Sequence, residues 1–330
     1  MEITIVLAIV SGVMILTYRL IEETVSATMF NETHNDLAVM SQQAVNAVQA
    51  EVVQARLVFE ENALGTAYRS ALSFPTTPNV WTTSVLPVID AGTVTLEPDT
   101  TTTRFTGNAL FLVRQMPPLT LTYDHDGKAN TAEIEFLVDR YRFDYVYLRK
   151  DTTVKFARSG QTADLMMATS EEYADYFQLS GVTAKPGNLV AKVIAAGLKQ
   201  AWDPGKDVTA SFYDLAAATD GTFDTAIKKP TIPILKSKTL LKGLLGGRIS
   251  GKMGYSVAFA APSGPAYPLR VPINLFAKPI AALPNYPSGF EVKIIGPAGN
   301  RQVLTRIVLM AQYGKTYEAQ QAAVSTAARF

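Results

Sequence analysis

The sequence predicts an α+β fold: a long N-terminal α-helix followed by a β-rich globular head of antiparallel sheets with a few short helices. Three observations predict it. An uncharged apolar run, Ile3–Tyr18 (ITIVLAIVSGVMILTY), opens the chain. From Leu20 to Ala63 there is neither Pro nor Gly, which permits one continuous helix. Beyond residue 100, alternating apolar and polar residues fall into runs separated by Pro and Gly turns, the period-2 pattern of strands. The expected organisation is residues 1–62 as a hydrophobic and then amphipathic helix, 63–160 as a β-rich lobe, and 161–330 as an α+β lobe.

The opening run of sixteen residues spans roughly 24 Å as a helix, slightly short of a bilayer core. Adding Arg19, whose aliphatic stem can snorkel, and continuing through Ile21 brings it to spanning length. A cleavable signal peptide needs a cationic segment ahead of its apolar run, and only Met1 and Glu2 precede this one. A buried core helix is the second reading. An N-terminal membrane helix is the expectation, with a basic leader removed to leave Met1 as the mature N-terminus.

The helical pattern continues past the membrane length. Val45, Val48, Val52, Ala55 and Phe59 recur at 3-4-3-4 spacing and form one stripe, expected to pack against the head. Ala44, Ala47 and Ala50 add strongly helix-forming positions. A helix ending near residue 62 would be about 90 Å long. The polar stretch Asn31–Asp36 (NETHND) is its expected weak point, where a kink or local melting would fall.

In the head, residues 65–106 are rich in Thr and Pro and read as connections with short strands. Residues 108–123, 132–138 and 140–148 read as an antiparallel meander. Its clearest strand is YRFDYVYL, with Tyr141, Phe143, Tyr145 and Tyr147 on one face and Arg142 and Asp144 on the other. These aromatics read as core, with a carbohydrate-stacking surface as the alternative. Residues 163–178 and 188–202 are predicted as helices, the second capped by Asn188. Strands return from Gly254 in GYSVAFA, PLRVPINLFA, FEVKIIG and QVLTRIVLMAQY, and an Ala/Gln-rich helix over residues 316–328 is expected to close the head.

Composition excludes several functions. The 330 residues carry 30 Lys and Arg against 29 Asp and Glu, so a nucleic-acid partner, which requires a cationic excess, is not expected. The balance is uneven. Residues 1–60 hold only Arg19 and Arg56 against seven acids, a net −5, which leaves +6 on the rest. The absence of Cys removes thiol nucleophiles, Cys-based zinc sites and disulfides together, and two His leave little for imidazole chemistry.

Candidate motifs each have a bland reading. Gly246–Lys252 (GGRISGK) satisfies G-x-x-x-x-G-K, but Met253 stands where a phosphate loop needs Ser or Thr for Mg²⁺, and no buried strand precedes it. It reads as a Gly-rich turn. Asp124-His125-Asp126-Gly127 reads as a hairpin turn in preference to a Ca²⁺ site, for want of further ligands. His34 has no second His near it. Glu171 and Glu172, adjacent on a predicted helix, diverge and cannot form an acid–base pair. Asn31-Glu32-Thr33 is a weak glycosylation sequon inside a helix. Lys228, Lys229, Lys236, Lys238, Lys242, Arg248 and Lys252 form a loose basic region, read as a solvated face or as a partner for the acidic helix of a neighbour. No catalytic residue, cofactor or metal site is expected, and the chain is not expected to be an enzyme.

A Met start, an apolar run without a cationic flank, and one amphipathic extension capped by a globular domain together resemble a mature type IV pilin or pseudopilin. The resemblance covers about residues 1–60. It implies an inner-membrane anchor, processing by a leader peptidase, the pilus assembly machinery as a partner, and a homo-oligomeric helical filament outside the cell. The helix would then be membrane anchor first and filament core afterwards. The assembly residues it implies are Met1, Glu2, Ile3, Ile5, Val6, Leu7, Ile9, Val10, Val13, Ile15, Leu16 and Arg19. One departure stands out. The family usually has Glu at the fifth mature position, where it neutralises a neighbour's N-terminal amine, and here that position is Ile5. Either Glu2 takes the role, or the chain belongs to a divergent branch without this acid. A structural filament subunit is therefore the expected function. The alternatives are a minor pilin or pseudopilin of a secretion system, a single-pass membrane-anchored exported binding protein, and, last, a tethered exported enzyme.

Overall fold

A computed structural model describes residues 2–78, 84–92, 95–99, 105–124, 132–150, 162–180, 186–207, 211–217, 230–245, 257–259, 267–269, 275–276, 289–313, 316–328 and 330. Helix α1 (Glu2–Val53) is followed by β1 (Ala55–Val58), α2 (Ala63–Ser70), β2 (Leu72–Ser73) and β3 (Ile89–Asp90). The long strands β4 (Leu110–Tyr123), β5 (Ile134–Lys150) and β6 (Thr162–Asp175) come next, then α3 (Tyr176–Ser180) and α4 (Pro186–Ala195). The remainder is β7 (Gln200–Trp202), β8 (Phe212–Asp214), β9 (Ile232–Leu245), β10 (Val257–Phe259), β11 (Tyr267–Leu269), β12 (Phe290–Ile295), β13 (Arg301–Tyr313) and β14 (Thr316–Ala328). A long N-terminal helix followed by a β-rich domain with few short helices is the α+β arrangement expected.

Strands from both head segments, 63–160 and 161–330, share one large sheet ordered β1-β4-β5-β6-β9-β13-β12-β3. Its long pairings are antiparallel. Strand β13 carries β14 along one edge from Arg301↔Ala328 to Tyr313↔Thr316. Its other edge pairs β12 over Gln302–Ile307 and meets β9 at Leu309, beyond the end of β12.

The sheet is buried on two sides, and that explains where local pattern misled. One face packs on α1 through an aliphatic cluster that includes Leu112, Val146, Leu148, Leu165, Met167, Val292 and Ile307. The opposite face builds an aromatic core around Phe59, Tyr68, Phe111, Phe143, Trp202 and Phe212. The predicted Tyr-rich strand is part of β5, which runs unbroken through the two strands expected at 132–138 and 140–148. Its Tyr141, Phe143, Tyr145 and Tyr147 all enter the aromatic core. The ring centroids of Phe59 lie 4.5 Å from Tyr68 and 4.6 Å from Phe111, and Trp202 Nε1 donates to the Tyr68 hydroxyl at 3.0 Å.

Three predicted helices are corrected. Residues 162–175 are strand β6, not helix, and only α3 is helical within 163–178. In β6 every residue from Ala163 to Ser170 is buried, because Leu165 and Met167 face α1 while Met166 and Ala168 face the aromatic core. A strand buried on both faces reads as a continuous apolar run and loses its alternation. The second helix is shorter than expected: α4 ends at Ala195, and residues 200–202 are strand β7. Asn188 lies inside α4 instead of capping it, and its side-chain amide donates to the Asp124 carbonyl at 3.2 Å. The Ala/Gln-rich segment expected as a closing helix is strand β14, whose backbone pairs with β13 along its whole length. Its Ala322 and Ala328 belong to the cluster under α1, where small side chains let the helix approach the sheet. Tertiary pairing here overrides helix propensity.

Candidate functional site: the two halves of helix α1

Helix α1 has 52 residues and is about 78 Å long at 1.5 Å per residue. It runs unbroken through Asn31–Asp36, so the expected kink or melting does not occur. It ends at Val53, short of residue 62, with no Gly or Pro to stop it. Ala55–Val58 pairs instead with β4, Val58 opposite Leu112, and the period-2 twist of that strand sends Val58 to the aliphatic core and Phe59 to the aromatic one. A helix would put neighbours 100° apart and could not serve both faces.

The two halves have opposite environments. From Ile3 to Asp36 no side chain is buried, and Leu37 is the first that is. Ile3, Ile5, Val6, Leu7, Ile9, Val10, Val13, Ile15 and Leu16 are all exposed, from 49% at Val10 to 78% at Ile3, and Arg19 is exposed as well. This stretch has mean hydropathy 2.1 and is apolar on all sides. Its hydroxyls are turned inward: Ser11 donates to the Leu7 carbonyl and Thr17 to that of Val13, each at 2.8 Å, so neither presents an unpaired donor outward. The backbone of Glu2 belongs to the helix, its side chain is not among the described ones, and Met1 lies outside the described residues.

The second half docks. Val45 and Val48 are 0% exposed, Val52 is 1%, and with Leu37 and Ala44 they pack on β13, β14 and β9. Ala55 is half-buried against the same cluster from β1, and Phe59 is buried just after that strand; neither is on the helix. At the upper margin of the dock, Gln320 Nε2 of β14 lies 2.8 Å from His34 Nε2.

At the foot of the helix lies a charged cluster. Arg114 of β4 reaches Glu51 of α1 at 2.6 Å and Asp144 of β5 at 3.4 Å, and Arg142 reaches Asp144 at 3.3 Å. Arg114 also donates to the Gln54 side chain at 3.1 Å. Burial raises the pKa of both carboxyls above the ordinary value, outweighing the cationic neighbours Arg142 and Lys238. Two more ion pairs are fully enclosed, Lys293 with Asp99 at 2.9 Å and Arg306 with Glu291 at 2.8 Å. Glu291 further accepts from the Leu275 and Phe276 amides, and Asp99 from those of Phe105 and Thr106. No local pattern marks these residues, since a charge on a strand reads as solvent-facing until a second layer covers it.

A groove of about 360 Å³ opens on the sheet beside β9, lined by Phe74, Pro78, Tyr147, Arg149, Leu235 and Lys236 among others. Next to it β9 exposes five successive residues, Leu235 to Thr239. Lys236 and Lys238 of the predicted basic region are thus exposed; Lys242 is in β9, and Lys228, Lys229, Arg248 and Lys252 lie outside the described residues. The phosphate-loop match at 246–252 and the His125–Gly127 turn also lie outside them. Glu171 and Glu172 are on β6, not a helix, and Glu172 pairs with Arg140 at 2.6 Å. Among the described residues no three His, Asp or Glu side chains are grouped to hold a metal ion.

No protein-family model, curated protein or solved structure matches this chain.

Proposed function

We propose that this chain is a structural subunit of an extracellular, type IV pilus-like filament. The first half of α1 anchors it in the inner membrane before assembly and packs against the same segment of other copies afterwards. One observation carries the reading: a single helix is apolar and exposed on every side over Ile3–Tyr18 and, from Leu37 onward, docked and buried along one face. A soluble monomer rarely exposes so large a contiguous apolar surface. Lipid covers it in the membrane, and neighbouring helices replace lipid in a fibre at little cost in apolar burial. The mechanism is assembly, with the head carried as an outer layer. On this reading the pilus assembly machinery and further copies of the chain are the partners.

The same observation supports a single-pass anchor that tethers an exported head without polymerising, and also a minor pilin or pseudopilin. Shearing native cells and imaging the supernatant decides between them. Helical filaments that contain this chain are the expected result. A chain that stays wholly with the membrane fraction, with no filament labelled by an antibody to the head, would falsify the filament reading in favour of the anchor.

A further inference from the structure

We infer that the solvent-facing stripe of α1 between Glu22 and Met40 docks on the cationic β9 surface of a second copy, a head-to-tail contact that rests on the filament reading above. At 100° per residue, Glu22, Val25, Met29, Glu32, Asp36 and Met40 fall on one side of the helix, turned away from the docking residues Leu37, Val45, Val48 and Val52. All six are exposed, including Val25 at 51% and Met29 at 50%. The stripe is therefore apolar and acidic together. No cation lies between Leu20 and Ala55, and among the described residues none of these three acids has an ion-pair partner.

That charge pattern selects the partner surface. Pairing the stripe with itself across a two-fold axis would set Glu22, Glu32 and Asp36 against the same acids in a low-dielectric contact, which is unfavourable. The complement must be cationic and apolar. The exposed edge of β9 carries both characters: Lys236 and Lys238, opposite Thr169 and Met167 of β6, project on the α1 side of the sheet, Leu235 is 63% exposed, and the groove edged by Phe74 and Tyr147 opens on the other side of the same strand. Methionine side chains, unbranched and adaptable, suit an irregular groove of this kind. Stripe and patch are different parts of the same chain, so each copy offers one to the next, and a heterologous contact that does not close on itself propagates as an open helical polymer. The stripe also follows directly on Ile3–Ile21, so both would be covered along one continuous helix flank.

The test uses the native absence of Cys, which leaves no background thiol. The full-length chain carrying Asp36→Cys and Lys236→Cys together is produced in its native cells, and sheared filaments are oxidised and run without reductant. A ladder of dimers, trimers and higher multimers is expected, with no ladder from either single variant. Filaments of normal abundance that give no ladder overturn the proposed contact and leave the filament reading intact. If no filaments form and Ile9→Cys in the apolar segment also fails to cross-link copies, the filament reading fails and the contact with it. A second pair of variants works without cross-linking. Lys236→Glu with Lys238→Glu is expected to abolish filaments, and adding Glu32→Lys with Asp36→Lys to restore them; undiminished filaments from the first pair overturn the contact.

Discussion

Arg114 ties three elements at one point: Glu51 from the helix and Asp144 from β5 both lie within 3.4 Å of its guanidinium on β4. Asp144 is 0% exposed, so its charge depends on Arg114, Arg142 and the Thr169 hydroxyl. Removing Arg114 deprives the buried Glu51 of its ion pair and leaves Asp144 with Arg142 and Thr169; breaking a buried pair typically costs about 3–5 kcal/mol. Arg114→Met should therefore destabilise the head by about 3 kcal/mol at neutral pH, read as a lower urea midpoint. The sign with pH follows from the direction of the shifts. Both carboxyls have folded pKa values raised above the unfolded ones, so their contribution is most favourable when protonated and is lost as pH rises through the raised values. The Arg114→Met penalty should accordingly shrink at about pH 4, near the unfolded carboxyl range. An equal penalty at both pH values would show that the residue acts through packing alone. Sequence reading placed Arg142 and Asp144 together on the face opposite the tyrosines. That they are enclosed was not legible, because enclosure comes from α1 arriving across a separation of about 90 residues in a packed layer.

At the scale of elements, the stripe Val45, Val48 and Val52 was readable from its 3-4 spacing, and the structure buries all three at 1% exposure or less. The stripe's continuation to Ala55 and Phe59 was not readable, since strand β1 takes over with no breaker residue between. The β5 tyrosines were legible for a related reason: aromatic and charged residues alternate even though both faces are covered. In β6 both faces are apolar, so period 2 vanished, and in β14 the alanines suit either state until β13 supplies a partner. Each buried valine contributes roughly 1.5–3 kcal/mol, and a carboxylate in its place adds the cost of an unpaired buried charge. Val48→Asp or Val52→Asp should thus prevent stable folding of the head. A mutant with wild-type yield and melting temperature would sink the docking claim.

At the scale of the whole molecule, the near-neutral net charge conceals a division between a −5 helical N-terminal segment and a +6 remainder. Its apolar residues are divided in the same way, with an uncovered helix half on one side of Leu37 and the aliphatic and aromatic clusters of the head on the other. Among the described residues, the head's core draws on α1 from Leu37 onward. Deleting residues 2–28 should therefore leave a head that folds, stays in solution after cell lysis and melts within a few degrees of the full chain in detergent. Aggregation of the truncated chain, or loss of its near-ultraviolet circular dichroism, would show that the first half of the helix also supports the head.

Only Gln54 separates the last turn of α1 from β1, and its side chain is gripped by Arg114. Helix and sheet are thus joined without slack, and a tug on the projecting half is not taken up by an unfolding linker. Tension along the helix axis falls first on the valine stripe, which must slide over β13 and β14 with all its contacts strained together, and only then on the four residues of β1. Rupture under force is governed by the barrier to unfolding and not by equilibrium stability, so a core that shears as a unit makes this head a stiff mechanical coupling.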